Sequence, residues 1–101
     1  MSARAVTYRR APSALTRAVG NEILACLPES EEVDHLSASG SAIWRQLAEP
    51  RTLAQLTAGV AAEYAMRPDD VRGDVRGFVT VLVKRGLVER IPAPTRRRGT
   101  R

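Results

Sequence analysis

The pattern of apolar and polar positions changes character near residue 37 of this chain. Before that point, short apolar-rich runs at residues 14–19, 22–27 and 31–36 have the composition of β-strands. Gly20-Asn21 forms a plausible tight turn between the first two runs, and Pro28-Glu29-Ser30 reads as a second turn. The first third therefore predicts a three-stranded antiparallel meander, to which residues 6–10 could add an edge strand.

After residue 37 the apolar residues recur at helical spacing, which predicts three helices. Ser37 is a suitable N-cap for the first helix, whose pattern stops near Glu49-Pro50. Thr52 and Gln55 form a capping box that opens a second helix extending to Tyr64. These signals mark the first two helices by residue type alone.

The third helix begins at Arg67-Pro68, because proline suits a first helical turn and the acids that follow suit the positive end of the helix dipole. It extends to Lys84-Arg85, where Gly86 is typical of the residue just past a helix end. Residues 87–91 return to an extended pattern. The fold class is therefore α+β and winged helix-turn-helix-like, with a three-stranded antiparallel sheet followed by three helices.

Composition limits the chemistry that this chain can perform. The 101 residues support one small domain, and the single cysteine, Cys26, excludes an intrachain disulfide. With one histidine, His35, a structural zinc site is not expected, and we expect no cofactor. Cys26 and His35 could be imagined as nucleophile and base, but no third group is suggested to orient them, so we expect a buried inert thiol and a solvated strand histidine.

The net charge of +5 is unevenly distributed. Four of these charges come from Arg96, Arg97, Arg98 and Arg101, and the remainder of the chain carries 5 − 4 = +1. We expect an arm or extra strand at residues 1–13, a domain at residues 14–91, and a basic disordered tail at residues 92–101. No apolar run is long enough for a membrane span or a signal peptide, so we expect a cytoplasmic protein with no membrane partner.

The third helix is the element where we expect function. At about 100° per residue, one apolar stripe faces the domain core. A second, half-apolar face lies beside it. Its purely structural interpretation is a widened edge of the core with snorkelling arginines. The core stripe contains Val71, Val75, Phe78 and Leu82, and the second face contains Arg72, Arg76, Val79 and Val83. Gly73 and Gly77 lie on the far side, where each weakens the helix.

Several spacings resemble the PqqD-like family over residues 15–91. They are Leu36 to Ile43-Trp44, Arg51-Thr52-Leu53-x-x-Leu56, Tyr64, Asp74-Val75-x-x-Phe78-x-x-x-Leu82 and Arg85-Gly86-Leu87. Members of this family are RiPP recognition elements, which bind the leader peptide of a ribosomally made precursor and present it to modifying or leader-cleaving enzymes. The resemblance implies a peptide-binding protein that is not an enzyme, and lasso-peptide maturation is the first choice of pathway.

In this family the leader adds as a strand to the edge of the three-stranded sheet and lies against the third helix. The resemblance implies that this edge is Glu32, Val33, Asp34, His35 and Leu36. It implies a facing wall of Arg72, Val75, Arg76, Val79 and Val83, with Asp69 at its entrance. The acidic run at residues 29–34 has two interpretations: protection of a bare strand edge, or pairing with leader lysines.

Two other classes of function compete with this one. A winged-helix DNA-binding protein would place the third helix in the major groove, where Arg72 and Arg76 could read bases. Against this class, the helix has no Asn or Gln, and Asp69, Asp70 and Asp74 would repel phosphates, so we expect no specific nucleic acid partner. A third possibility is a purely structural module that docks an enzyme through Trp44 or the tail.

Overall fold

The computed structural model describes residues 6–92. The arm at residues 1–5 and the arginine-rich segment at residues 93–101 lie outside this range, so the expected disordered tail is not addressed. The elements in chain order are β1 (Thr7–Arg10), β2 (Leu15–Val19), β3 (Glu22–Cys26), β4 (Asp34–Leu36), α1 (Ala38–Gln46), α2 (Leu53–Glu63), α3 (Pro68–Lys84) and β5 (Val88–Ile91). The predicted order of a three-stranded sheet followed by three helices is confirmed.

Strands β2, β3 and β4 form an antiparallel sheet in that order, with β3 in the centre. The β2–β3 turn occurs at the predicted glycine, since Gly20 has a φ of 62° that favours a residue without a Cβ. In the β3–β4 register Ala25 pairs with Asp34 and Ile23 pairs with Leu36. Because side chains alternate across a strand, Asp34 and Leu36 share the inner face of the sheet, and His35 lies on the outer face.

The predicted helix boundaries are found where the residue types placed them. The Ser37 hydroxyl accepts a hydrogen bond from the backbone amide of Gly40, and Thr52 and Gln55 form the expected reciprocal capping box. Pro68 occupies the first turn of α3, and Gly86 follows the helix with a φ of 79°. Local capping chemistry therefore fixes where each helix begins and how the third one ends.

The core lies between the inner face of the sheet and the three helices. Its largest fully buried side chains are Trp44, Leu47, Leu56, Leu82, Leu87, Val75, Val79 and Val88. Trp44 is 1% exposed, and the Arg10 guanidinium stacks on its ring at 5.0 Å while donating to its carbonyl oxygen. An indole held this way cannot reach a partner surface, so the structure argues against the competing possibility of docking through Trp44.

Two strands differ from the sequence-based expectation. Residues 7–10 do form a strand, but β1 pairs with β5 in a separate two-stranded antiparallel sheet instead of extending the edge of the larger one. Strand β4 starts at Asp34, three residues later than predicted, because the Ser30 hydroxyl accepts the backbone amide of Glu32 at 3.0 Å and bends the chain there. Among residues 6–92, none of the helices is both long and apolar enough to cross a membrane.

Candidate functional site

An apolar groove of about 560 Å³ runs along one flank of α3. Side chains from the start of α1, the end of α2 and the loop that follows it form the opposite wall. The side chains that define it are Ile43, Val60, Tyr64, Met66, Phe78 and Val81. Three of these are large apolar residues that water reaches freely, with exposed fractions of 41% for Tyr64, 48% for Met66 and 51% for Val81. Such a cluster on a small domain is typical of a binding surface.

The α3 flank of this groove lacks side chains at two positions. Gly73 and Gly77 line it, and a Cβ added at either residue would meet nothing within 4 Å. Each glycine weakens an exposed helix by about 1 kcal/mol relative to alanine, so helix stability does not explain their presence. Their effect is to widen the groove next to Phe78 and Val81.

The chain segment from β4 into α1 contacts the α3 side of the molecule at two points. Arg85, at the end of the helix, bonds to Asp34 at the start of β4, and the Phe78 ring sits directly against the Gly40 backbone in α1. Because the chain runs from residue 34 to residue 40 while its partners run from residue 85 back to residue 78, the segment from β4 into α1 runs antiparallel to α3. Val81 lies between these two contacts on the same helix face. The β4 edge leads into the start of α1, where Ser39 and Ile43 line the groove, so the edge and the groove together are the candidate surface.

A small ionic network closes one end of this surface. Arg85 Nη2 lies 2.7 Å from an Asp34 carboxylate oxygen and 3.0 Å from one of Glu32. The hydrogen bond and charge of Asp34, with a smaller effect from Glu32, raise the pKa of the Arg85 guanidinium above its usual value. Arg85 thus stays charged and holds the segment before β4 against the end of α3, where Lys84 and Leu87 help to line a depression of about 210 Å³.

The structure distributes the predicted α3 wall between the core, the groove and the opposite flank of the helix. Val75 and Val79 are 2% and 1% exposed and belong to the core; Val75 also lines the floor of the groove, whereas Val79 does not border it. Val83 is partly buried against the same core. Phe78, which we expected in the core stripe, is partly buried against the core and also borders the groove. The core stripe is therefore rotated by about 30° toward Val79 from the position that the 100° projection gave it.

The predicted arginines lie on the far side of that stripe. Arg72 and Arg76 line a separate depression of about 180 Å³ together with Leu53 and other α2 residues. The Arg72 guanidinium lies 2.7 Å from the carboxylate of Asp69, so these two candidates pair with each other. None of them borders the apolar groove, because packing of α2 against α3 separates the two surfaces.

The predicted edge residues divide between the two faces of the sheet. Leu36 is buried in the core, so only its backbone remains available, and its carbonyl oxygen accepts a hydrogen bond from Ser41. His35 points to the outer face and bonds to the carboxylate of Glu22. Val33 is also on that face, where it lines a depression of about 290 Å³ with Cys26. Glu32 and Asp34 are the candidates whose side chains reach α3.

Most of the groove was not predicted from the sequence. The contact residues that were not predicted are Tyr64, Met66, Asp74, Phe78 and Val81 in the groove and Arg85 beyond the end of α3. One usable signal was the apolar Val81 placed three residues after Phe78, in line with two helix-weakening glycines. Among residues 6–92, no group of three or more His, Cys, Asp or Glu side chains is placed to hold a metal ion.

The chain was compared with protein-family models, curated proteins and solved structures. The family model described as "Coenzyme PQQ synthesis protein D (PqqD)" matches residues 18–88. A search of curated proteins found no match. Among solved structures, the chain is similar to the one titled "TbiB1 in Complex with the TbiA(beta) Leader Peptide", with a TM-score of 0.72 and 23% identity over 80% of this chain and 94% of that one.

Proposed function

Because the chain belongs to the PqqD family, as its resemblance predicted, and combines an unpaired strand edge with an apolar groove, we propose that it binds the leader peptide of a ribosomally made precursor. The leader adds as a strand to the β4 edge and places alternate side chains in the groove along α3. The observation that carries this proposal is that the segment with the open edge at Asp34–Leu36 leads into the start of α1, where Gly40 lies against Phe78 at the groove.

Backbone pairing and side-chain burial have separate roles in this mode of binding. The open edge of β4 supplies hydrogen bonds that any extended peptide can make. The groove supplies selectivity, because it accepts apolar side chains at alternate positions of the added strand. The solved relative of similar fold is titled as a complex with a leader peptide, which supports the same class of ligand here.

The length of α3 limits how much of a precursor is held. Its 17 residues extend over about 25 Å, which corresponds to roughly seven or eight residues of an extended strand. The rest of the precursor remains accessible, so we propose that a leader peptidase or another modifying enzyme acts on it while this protein binds without catalysis. Lasso-peptide maturation remains the preferred pathway, on the resemblance alone.

The character of α3 favours a peptide over the DNA-binding alternative. The flank that borders the groove is apolar, and Asp74 is the one charged residue among those lining it in the described part of the chain. Arg72 is already paired with Asp69, and Arg76 faces the α2 side. A helix that enters the major groove needs free donors and cations toward the phosphates, and this flank offers a carboxylate.

N-methylation of the peptide backbone tests strand addition directly. The ligand is a synthetic leader of the precursor peptide encoded beside this chain's gene, methylated at one amide at a time and titrated by calorimetry. In an antiparallel pair only every second residue directs its N–H toward the partner strand. We expect methylation to weaken binding by about tenfold at alternate positions over the paired segment and to leave the positions between them nearly unchanged.

Matched peptides carrying Ala at the same positions separate side-chain effects from backbone effects. If alanine substitution weakened binding at positions three or four residues apart, this would indicate a bound helix and contradict strand addition. Failure of the unmethylated leader to bind at all would overturn the proposed function.

A further inference from the structure

Asp74 is a charged residue in a groove that is otherwise lined by apolar and uncharged polar side chains in the described part of the chain. It lies in the second turn of α3, one turn before Phe78, and borders the groove together with Gly73 and Gly77. The ion pairs found among residues 6–92 all involve other residues, so no cation of the described chain neutralises this carboxylate.

Helix stability does not account for an acid at this position. Acids in the first turn of a helix are favoured by the helix dipole, and Asp69 and Asp70 occupy that turn. The dipole effect falls off beyond the first turn, and Asp74 lies in the second turn. A carboxylate beside a groove that a peptide must desolvate is unfavourable unless the peptide brings a hydrogen-bond donor or a cation.

We propose that Asp74 binds a lysine or arginine side chain of the bound leader. This proposal rests on the proposed function and adds to it the requirement for a positive charge in the leader. The cation makes a charge-assisted hydrogen bond to the carboxylate, while its aliphatic stem lies over the open flank at Gly73 and Gly77. Asp74 thereby selects among peptides that satisfy the apolar groove equally well.

The fold also fixes where in the leader this cation lies. An added strand antiparallel to β4, the arrangement that all pairs of the larger sheet have, runs in the same direction as α3, because the segment from β4 into α1 runs antiparallel to that helix. Leu36 lies two strand residues beyond Asp34, which is about 7 Å along β4. Val81 lies four helical residues before Arg85, which is about 6 Å along α3. Since Asp34 contacts Arg85, Leu36 and Val81 are level with each other. Asp74 lies seven residues before Val81, about 10 Å along the helix axis. This distance is about three strand residues, and only alternate side chains of the added strand face α3, so the cation lies about two or four residues N-terminal to the leader residue that pairs with Leu36.

A lysine scan tests both the residue and the position. The probe is the same synthetic leader with its own Lys and Arg replaced by norleucine and one lysine introduced at each position in turn. We expect one position to bind about three- to fivefold more tightly than the lysine-free peptide, and this gain to disappear in Asp74→Asn and in high salt. Asp69→Asn is the matched control, since it removes the same charge on the opposite flank and should keep the gain.

Charge reversal provides a rescue. Asp74→Lys should prefer a peptide with glutamate at the selected position over one with lysine there. A flat lysine scan, or a preferred position that is unchanged in Asp74→Asn, would overturn the role of Asp74 while leaving strand addition intact. Loss of binding by the lysine-free peptide to every variant would instead count against the proposed function.

Discussion

Val79→Asp unfolds the domain. Val79 is 1% exposed and packs in the core formed by α3, the sheet and the other helices. A carboxylate placed there either loses its hydration without a partner or takes up a proton, and both outcomes cost several kcal/mol. The total stability of a domain of this size is about 5–15 kcal/mol, so the variant should be largely unfolded or strongly destabilised. Urea denaturation followed by circular dichroism measures the effect.

The neighbouring Thr80 supplies the control for this substitution. Thr80 is exposed on the outer side of α3, where its hydroxyl donates to the Arg76 carbonyl oxygen. Thr80→Asp adds the same charge one residue away and should change the free energy of unfolding by no more than about 1 kcal/mol. Equal losses of stability in the two variants would contradict the burial assigned to Val79.

Val81→Asp leaves the fold intact and removes leader binding. Val81 is 51% exposed and lies in the groove between the contacts that Phe78 and Arg85 make with the α1 and β4 side. Losing the buried apolar contact costs about 1.5–3 kcal/mol, and desolvating the new carboxylate adds to it, so affinity should fall at least about 30-fold. Calorimetric titration with the synthetic leader measures this loss, alongside a urea denaturation to verify the fold.

Thr80→Asp is again the matched control, since it adds the same net charge on a surface that the peptide does not contact. It should bind the leader with unchanged affinity. Retained affinity in Val81→Asp, or an equal loss in Thr80→Asp, would mean that the leader does not lie in this groove.

Much of the fold could be predicted from the sequence because helix ends and tight turns are determined by residue types within a few positions of each other. Ser37, Thr52, Pro68 and Gly86 mark helix ends through hydrogen bonds or backbone angles that each residue type favours. The turn at Gly20 is determined in the same way. The pairing of β1 with β5 could not be read from such signals, because it joins residues about 80 positions apart whose strands look alike to a local pattern.

The site was harder to predict because it depends on which side of α3 the neighbouring elements pack. A helical projection orders the residues around the axis, but it does not say whether α2 or β4 covers a given flank. Valine at positions 79 and 81 has the same chemistry, and the packing of α2 and the sheet decides that Val79 is core and Val81 is groove. The binding edge on the sheet remains a prediction from the family resemblance, while the α3 wall was assigned from a projection that placed Val79 beside the core stripe instead of in it.

Hydrogen exchange of individual backbone amides, followed by NMR with and without the synthetic leader, tests the central claim most directly. The larger sheet has two outer strands, β2 at Leu15–Val19 and β4 at Asp34–Leu36, and β4 is the one that leads directly into α1, whose Ser39 and Ile43 line the groove. We predict that the leader slows exchange at β4 amides that are unpaired in the free protein and leaves β2 amides unchanged. Protection confined to β2, or to the β1–β5 pair, would contradict the account.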